Sequence, residues 1–472
     1  MSNEKHAPSL RDNKMRTMPL GKLLFNMALP LVLSMLVQAL YNVVDSVYVA
    51  GYSQNAVTAL SLAFPIQNLQ IGFATGAAVG MNSLLSKSLG EGNRERANRA
   101  AGNGIFLTLL FVVAFMLFGF FGAGAYYNMQ DISAETAKAG IQYTSICCIY
   151  TLGIFIGILG ERLLQASGKT IYTMYTQGTG AILNIILDPL FIYGFEPLGI
   201  PEMGAAGAAV ATVIGQWVSA VMAVIFNMKK NDDVKFALKY LIPDRKIMGK
   251  ILAVGIPSII MMAIGSVMNF GMNQIFLGFE GIGETASGVF GVYFKLQSFF
   301  FMPLFGMNNA AISILAFNYG AREPKRIIGT LKRTAGAAMV IMLLGLAVFQ
   351  IFPDVLMGIF STSEDAAGSE FVSIGISALR RISLMFPMAA IGITIGGASF
   401  PALGEGMYST ITSLCRQLIV LLPAAYLLSL TGNVHAVWWS FPIAEVVSMI
   451  ITLICYAKVY RKKIKPLFEE TA

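Results

Sequence analysis

Histidine, cysteine and charge are all scarce in this chain of 472 residues. Asp, Glu, Lys and Arg together make up 12% of it, where a soluble domain carries about a quarter. The two histidines, His6 and His435, are far apart and have no zinc-ligand spacing, and neither a phosphate-binding loop nor a Gly-x-Ser-x-Gly elbow occurs. ATP hydrolysis, zinc chemistry and triad hydrolysis are therefore excluded, and no nucleophile and base stand together as an intramembrane enzyme requires. The four cysteines, Cys147, Cys148, Cys415 and Cys455, fall inside apolar runs, which excludes a secreted disulfide scaffold and leaves them as packing residues. Gly281-Ile-Gly283-Glu-Thr-Ala286 imitates a dinucleotide fingerprint but lacks a βαβ unit around it, so no cofactor is expected.

What the chain has instead is apolar sequence, 56% of its residues. A bilayer span needs about 20 apolar residues, and twelve such runs follow one another: 23–50, 57–85, 97–123, 137–160, 171–193, 204–226, 251–277, 286–316, 327–352, 368–397, 408–430 and 434–456. The fold class is an all-α polytopic membrane protein with twelve transmembrane helices. The basic, polar segment 1–22 precedes a run too long for a signal peptide, so that run is read as a retained helix.

Net positive charge suggests a nucleic-acid partner, but its distribution argues for topology instead. If the N-terminus is placed inside, 28 of the 33 Lys and Arg fall in inner loops and tails or, as Arg99, Lys332 and Arg333 do, in the first turns of the spans beside them; only Lys138 lies at the outer side, and Lys295, Arg380, Arg381 and Arg416 lie deeper within spans. The outer loops are acidic, as at Asp131, Glu196 and Glu280. The positive-inside rule then puts both termini in the cytoplasm of a cell-membrane protein.

The halves of the chain echo each other. Leu29-Pro30 answers Ile256-Pro257, Gly90 answers Gly320, Gln165-Ala-Ser-Gly168 answers Pro401-Ala-Leu-Gly404, and Pro189 answers Pro423. A duplicated unit of six spans gives two pseudo-symmetric bundles related by an axis along the membrane normal. The expected division is an N-lobe (23–228), a linker (229–250) that leaves the bundles free to rock, a C-lobe (251–457) and a tail (458–472).

A carboxylate inside a bilayer costs about 2.5–3.5 kcal/mol or more, so each one is a functional candidate. The spans hold Asp45, Asp188 and Glu445. Asp45 shares a helical face with Gln38, Tyr41, Asn42 and Tyr48, a polar stripe suited to lining a cavity. Asp188 follows Asn184 by one turn, and Pro189 cannot donate to the carbonyl of Ile185, so oxygen donors gather there that suit Na⁺ or a proton. The repeat sets Met272 opposite Asp45 and Leu422 opposite Asp188, which confines cation chemistry to the first half.

Glu445 reads as a relay or, preferably, as the structural partner of an intramembrane arginine, with Arg381 among the candidates. Lys295, between Tyr293 and Gln297, is the basic residue best placed for a cavity role. The 32 Phe and 26 Met supply adaptable surface for lipophilic, cationic cargo. Gly72, Gly76 and Gly80 read as a close helix-packing stripe.

The run from Pro30 to Gly51, Gly90-Glu-Gly-Asn-Arg94, Gln165-Ala-Ser-Gly168, Asn184-x3-Asp188-Pro189 and Gly204-x2-Gly-Ala-Ala-Val-Ala-Thr212 resemble the multidrug and toxic compound extrusion (MATE) family over nearly the whole chain. Tyr293-Phe-Lys295-Leu-Gln297 and Asn318-Tyr-Gly320-Ala are similar to its bacterial MepA-like branch. The resemblance implies a secondary antiporter that exports lipophilic, often cationic compounds in exchange for H⁺ or Na⁺, works as a monomer, and holds its cation at Asp45, Asn184, Asp188 and Thr212. The acidic pair that some relatives carry in the C-lobe is missing here. A lipid-linked oligosaccharide flippase of the same superfamily would favour extra spans and a cationic cavity, and a receptor or scaffold without transport is the alternative of a different class.

Overall fold

The computed structural model describes residues 14–129, 132–360 and 366–471, apart from the side chains of a few helical positions, Asn42 among them. The described residues contain no strand, only one isolated bridge between Phe195 and Ile200. Twelve rods follow one another. They are α1 (Leu20–Tyr52), α2 (Gln54–Gly90), α3 (Arg94–Asn128), α4 (Ala134–Ile149 with Leu152–Ala166), α5 (Thr170–Ile192), α6 (Ala205–Lys230), α7 (Arg245–Leu277), α8 (Gly283–Gly320), α9 (Pro324–Ile351), α10 (Ala366–Ser383 with Phe386–Ala402), α11 (Gly406–Ser429) and α12 (Val434–Glu469).

Eight of the rods are individually long and apolar enough to cross a bilayer, and the bent pairs α4 and α10 raise that to ten. The other two, α2 and α5, carry several buried polar residues, Gln70 and Asn82 on α2 and Thr173, Asn184 and Asp188 on α5. Large apolar side chains such as Phe25, Leu110, Phe121, Phe270 and Leu344 stand exposed on the rods, a surface suited to lipid. All four cysteines are free, as their place in the apolar runs implied.

The duplication is visible in three dimensions. α4 bends by 45° between 149 and 152, and α10 bends by 48° between 383 and 386, the equivalent place. In the N-lobe, α5 packs on α1 and α6 while α4 packs on α2 and α6; in the C-lobe, α9 packs on α8 and α10, and α11 packs on α7.

The lobes meet where α2 lies against α7 and α8, and α1 against α8. The glycine stripe of α2 serves this interface: a Cβ on Gly80 would stand 2.1 Å from the carbonyl oxygen of Ile251, and one on Gly76 would stand 2.7 Å from that of Gly255. Where α2 and α8 end, the contact is symmetric. A Cβ on Gly90 would lie 1.9 Å from the Phe317 carbonyl oxygen, and one on Gly320 would lie 2.0 Å from that of Lys87. Asn82 and Ser313 hydrogen-bond at 3.2 Å just above this crossing, and Ser83 donates to the Pro401 carbonyl at 2.6 Å.

This end of the bundle carries the first and the last described helices, which begin at Lys14 and end at Thr471, and is called the basic end below. Here the short helix Lys14–Thr17 reaches both lobes: Met15 is fully buried, Arg326 donates to the carbonyls of Met15 and Met18 at 2.8 and 2.9 Å, and Lys14 lies against Gly168.

Two boundaries differ from expectation. α12 continues to Glu469, so most of the expected tail is helix. α6 runs to Lys230 and α7 begins at Arg245, which leaves a connector of 231–244 that is docked rather than loose. Asn98 Oδ1 accepts the Lys235 N–H at 2.8 Å, Asn103 Oδ1 accepts the Asp244 N–H at 2.7 Å, and the Tyr240 hydroxyl donates to Glu95 Oε2 at 3.0 Å. Buried asparagines on α3 need such partners, and the connector's backbone supplies them.

Gly90→Val or Gly320→Val puts a side chain into a carbonyl oxygen, an overpacking cost of about 1–3 kcal/mol borne only while the crossing is closed. Either variant is expected to insert normally, to lose most of its transport, and to raise thiol-reagent access to a cysteine placed at Ser313. Unchanged access and transport would show that the crossing is not a closure.

Candidate functional site

The inward face of α5 reads Thr170, Thr173, Thr176, Gly180, Asn184, Asp188 and Ile192, all buried and spaced by three or four residues. α6 approaches it closely because neither Gly180 nor Gly215 has a side chain; a Cβ on Gly215 would lie 2.8 Å from the Gly180 carbonyl oxygen. That approach brings Thr212 to Asn184. The Asn184 amide donates to Asp188 Oδ1 at 3.1 Å and to Thr212 Oγ1 at 3.3 Å. From α1, the Asp45 carboxyl faces that of Asp188, and the Tyr41 hydroxyl faces Thr212 and both acids. Pro189 sits inside the unbroken helix, so residue 189 offers no N–H to the Ile185 carbonyl.

The structure thus brings together Asp45, Asn184, Asp188, Thr212 and Tyr41, with Asp188 fully buried. Among the described residues, three buried oxygens in this group, Asp45 Oδ1, Asp188 Oδ2 and Asn184 Oδ1, receive no hydrogen bond. Acceptors left unpaired side by side in a dry interior are costly unless something positive sits among them. The donor set fits a proton shared by the two acids, or a Na⁺ ion, which takes hard oxygen ligands.

The other members of the stripe lie elsewhere. Tyr48 packs with Val49, Ile192 and Ala205 in an apolar cluster beyond the acids, its carbonyl accepting from the Tyr193 hydroxyl at 2.7 Å, and Gln38 is exposed on α1 toward the basic end. The Asn42 side chain lies outside the described residues. Lys295 is exposed, while its neighbours Tyr293 and Gln297 line a cavity in the C-lobe.

The C-lobe repeats the scaffold without the acids. Met272 is fully buried, and a Cβ on its neighbour Gly271 would lie 2.9 Å from Leu422, so the residues equivalent to Asp45 and Asp188 both belong to one apolar cluster. The favoured ion pair of Glu445 is not formed. The carboxylate is buried and its Oε1 has no hydrogen-bond partner, and among the described residues no basic side chain comes within 4.0 Å of it. Arg416 shares its cavity, whereas Arg381 does not line that cavity and keeps its own Nη1 buried without a partner.

Three residues of the N-lobe interior were not anticipated. Gln67 on α2 donates to the Tyr143 hydroxyl of α4 at 2.8 Å, close to Asp45 and Tyr41. Glu161, assigned by sequence to a loop beside Arg162, is buried within α4; it accepts from Thr176 Oγ1 at 3.0 Å and from Gln177 Nε2 at 2.7 Å. The signal was available in the polar spacing of α5, where Thr173, Thr176 and Gln177 call for a partner one rod away.

The family model MatE matches residues 30–190 and 257–427, one stretch in each lobe. The chain belongs to the MatE family. It is therefore a MATE transporter rather than an enzyme. It is 24% identical over 436 residues to the multidrug export protein MepA of Staphylococcus haemolyticus, covering 92% of each chain, and 23% identical over 435 residues to that of Staphylococcus aureus, covering 90% and 91%. A crystal structure of a MATE in complex with MaL6 superimposes with a TM-score of 0.88 at 25% identity, covering 98% of this chain and 99% of that one. An outward-facing multidrug-resistance MATE of the MOP superfamily superimposes with a TM-score of 0.87 at 26% identity, covering 99% and 100%.

Glu161→Leu in this MATE transporter leaves the Gln177 amide without its acceptor and leaves Thr176 only the Thr173 carbonyl at 2.8 Å, and an orphaned donor in the interior costs about 1–3 kcal/mol. Thermal unfolding in detergent is expected to shift downward for Glu161→Leu and far less for Glu161→Gln. Equal melting of wild type and Glu161→Leu would make the cluster energetically idle.

Proposed function

We propose that the chain is a secondary active multidrug efflux antiporter of the plasma membrane, acting as a monomer, with its basic end in the cytoplasm. It exports lipophilic, often cationic compounds in exchange for H⁺ or Na⁺. The observation that carries this reading is the set of three unpartnered oxygens between Asp45, Asp188 and Asn184 inside the N-lobe.

A cation arriving from outside is drawn by two acids held face to face in a dry interior, where a bare pair is the least favourable state. Proton or Na⁺ then relieves the repulsion between α1 and α5 and changes how α1 seats on the rest of its lobe. α1 also packs against α8 of the other lobe. A change in α1 therefore biases the closed crossing of α2 and α8, and the two states alternate access to the space between the lobes. Drug release is favoured in one state and drug loading in the other. Similarity to the MepA export proteins supports drug-like cargo, and the absence of acids at Met272 and Leu422 supports coupling through one lobe only.

The test is ethidium efflux with an imposed proton or Na⁺ gradient. Asp45→Asn and Asp188→Asn are expected to abolish efflux while the proteins stay folded, and the gradient that drives wild type names the ion. Thr212→Ala separates the two further: it weakens Na⁺ dependence several-fold if Thr212 is an ion ligand, and changes proton-driven efflux little. Normal efflux by both Asp variants would remove the site from the mechanism.

A further inference from the structure

The C-lobe holds a cavity of about 330 Å³ between α7, α8, α10, α11 and α12, a size in the range of small-molecule sites. Aromatic rings form much of its wall: Phe294, Phe301 and Phe305 line it, with Tyr293 and Phe441 packed against each other at 6.0 Å between ring centres and a tilt of 60°. Two opposite charges enter it. Glu445 is 3% exposed and its Oε1 has no partner; Gly392 across from it leaves room, since a Cβ there would be 3.3 Å from that oxygen. Arg416 lines the same cavity from α11 and, among the described residues, forms neither an ion pair with Glu445 nor a hydrogen bond. The Tyr293 hydroxyl, also buried, is unpartnered as well.

A buried carboxylate normally recruits its nearest cation, and one left open toward a cavity is poised for a ligand's charge. A simple organic cation would satisfy Glu445 and be stabilised by the rings, but Arg416 would repel it. A ligand carrying a positive and a negative group on one aromatic body satisfies both ends. We propose that this cavity is a binding site for aromatic zwitterions, with Glu445 taking the cationic group, Arg416 the carboxylate, and the rings of Phe294, Phe301 and Phe305 packing on the body between them. The site rests on the export reading above but not on the N-lobe coupling chemistry.

The test is calorimetric titration of the purified full-length protein in lipid nanodiscs with tetraphenylphosphonium, a plain cation, and its para-carboxy derivative, a zwitterion of nearly the same shape. Wild type is expected to prefer the zwitterion. Glu445→Gln weakens both probes by roughly tenfold or more, while Arg416→Gln, at a half-buried position and so the safer variant for folding, removes the preference and tightens the plain cation. Unchanged affinities in Glu445→Gln, including the case where it stops transport but still binds both probes, would make the acid a relay and overturn the proposal. So would an Arg416→Gln variant that keeps the wild-type preference. Failure of the coupling reading looks different: Asp45→Asn and Asp188→Asn pump normally while the probes still respond to Glu445 and Arg416.

Discussion

Inside a bilayer no water satisfies a stray N–H or C=O, so the chain can cross only as rods that bond within themselves. The rest of the structure depends on how near two rods are allowed to come. With lipid on the outside there is no hydrophobic gain in bringing helices together, and close packing of backbones takes its place. Gly76, Gly80, Gly90 and Gly320 set the distance between the lobes, and Gly180 and Gly215 set the distance between α5 and α6. The first group closes one end of the molecule. The second delivers Thr212 to Asn184 and so assembles the N-lobe site.

The two lobes share a frame and differ in what they enclose. Where the N-lobe sets two carboxyls face to face, the C-lobe sets Met272 and Leu422 in an apolar cluster, and its charges, Glu445 and Arg416, line a cavity beside it. Duplication supplied two equivalent interiors, and the residues within them divided the labour.

Twelve rods, the repeat and the grouping of Asp45, Asn184, Asp188 and Thr212 were legible in the sequence because each leaves a local mark: a long apolar run, a recurring Gly or Pro, a carboxylate where none is cheap. Glu161 was misread because the end of an apolar run does not mark the end of a helix, and charges in the last turns look like loop charges. The pairing of Glu445 was misread for a different reason. Sequence shows that an acid and several arginines share a membrane interior, but only packing decides that Arg416 stops short of it. The docked connector was hidden for the same reason, since Asn98 and Asn103 on α3 reveal their partners only once the chain has folded back onto them.

That connector has a mechanical consequence. Asp244 caps α7 through its side chain, accepting from Lys246 and Ile247 at 2.8 and 3.2 Å, and hangs by its own N–H on Asn103. The start of the C-lobe is thus riveted to the N-lobe at one end. The 33 residues of α7 make a lever of about 50 Å, so a tilt of about 10° carries its far tip roughly 9 Å while the rivet hardly moves. Parting the lobes at the end away from the rivet is therefore cheap in local rearrangement, whereas parting them at the basic end strains it, so the two ends of the bundle are mechanically unequal.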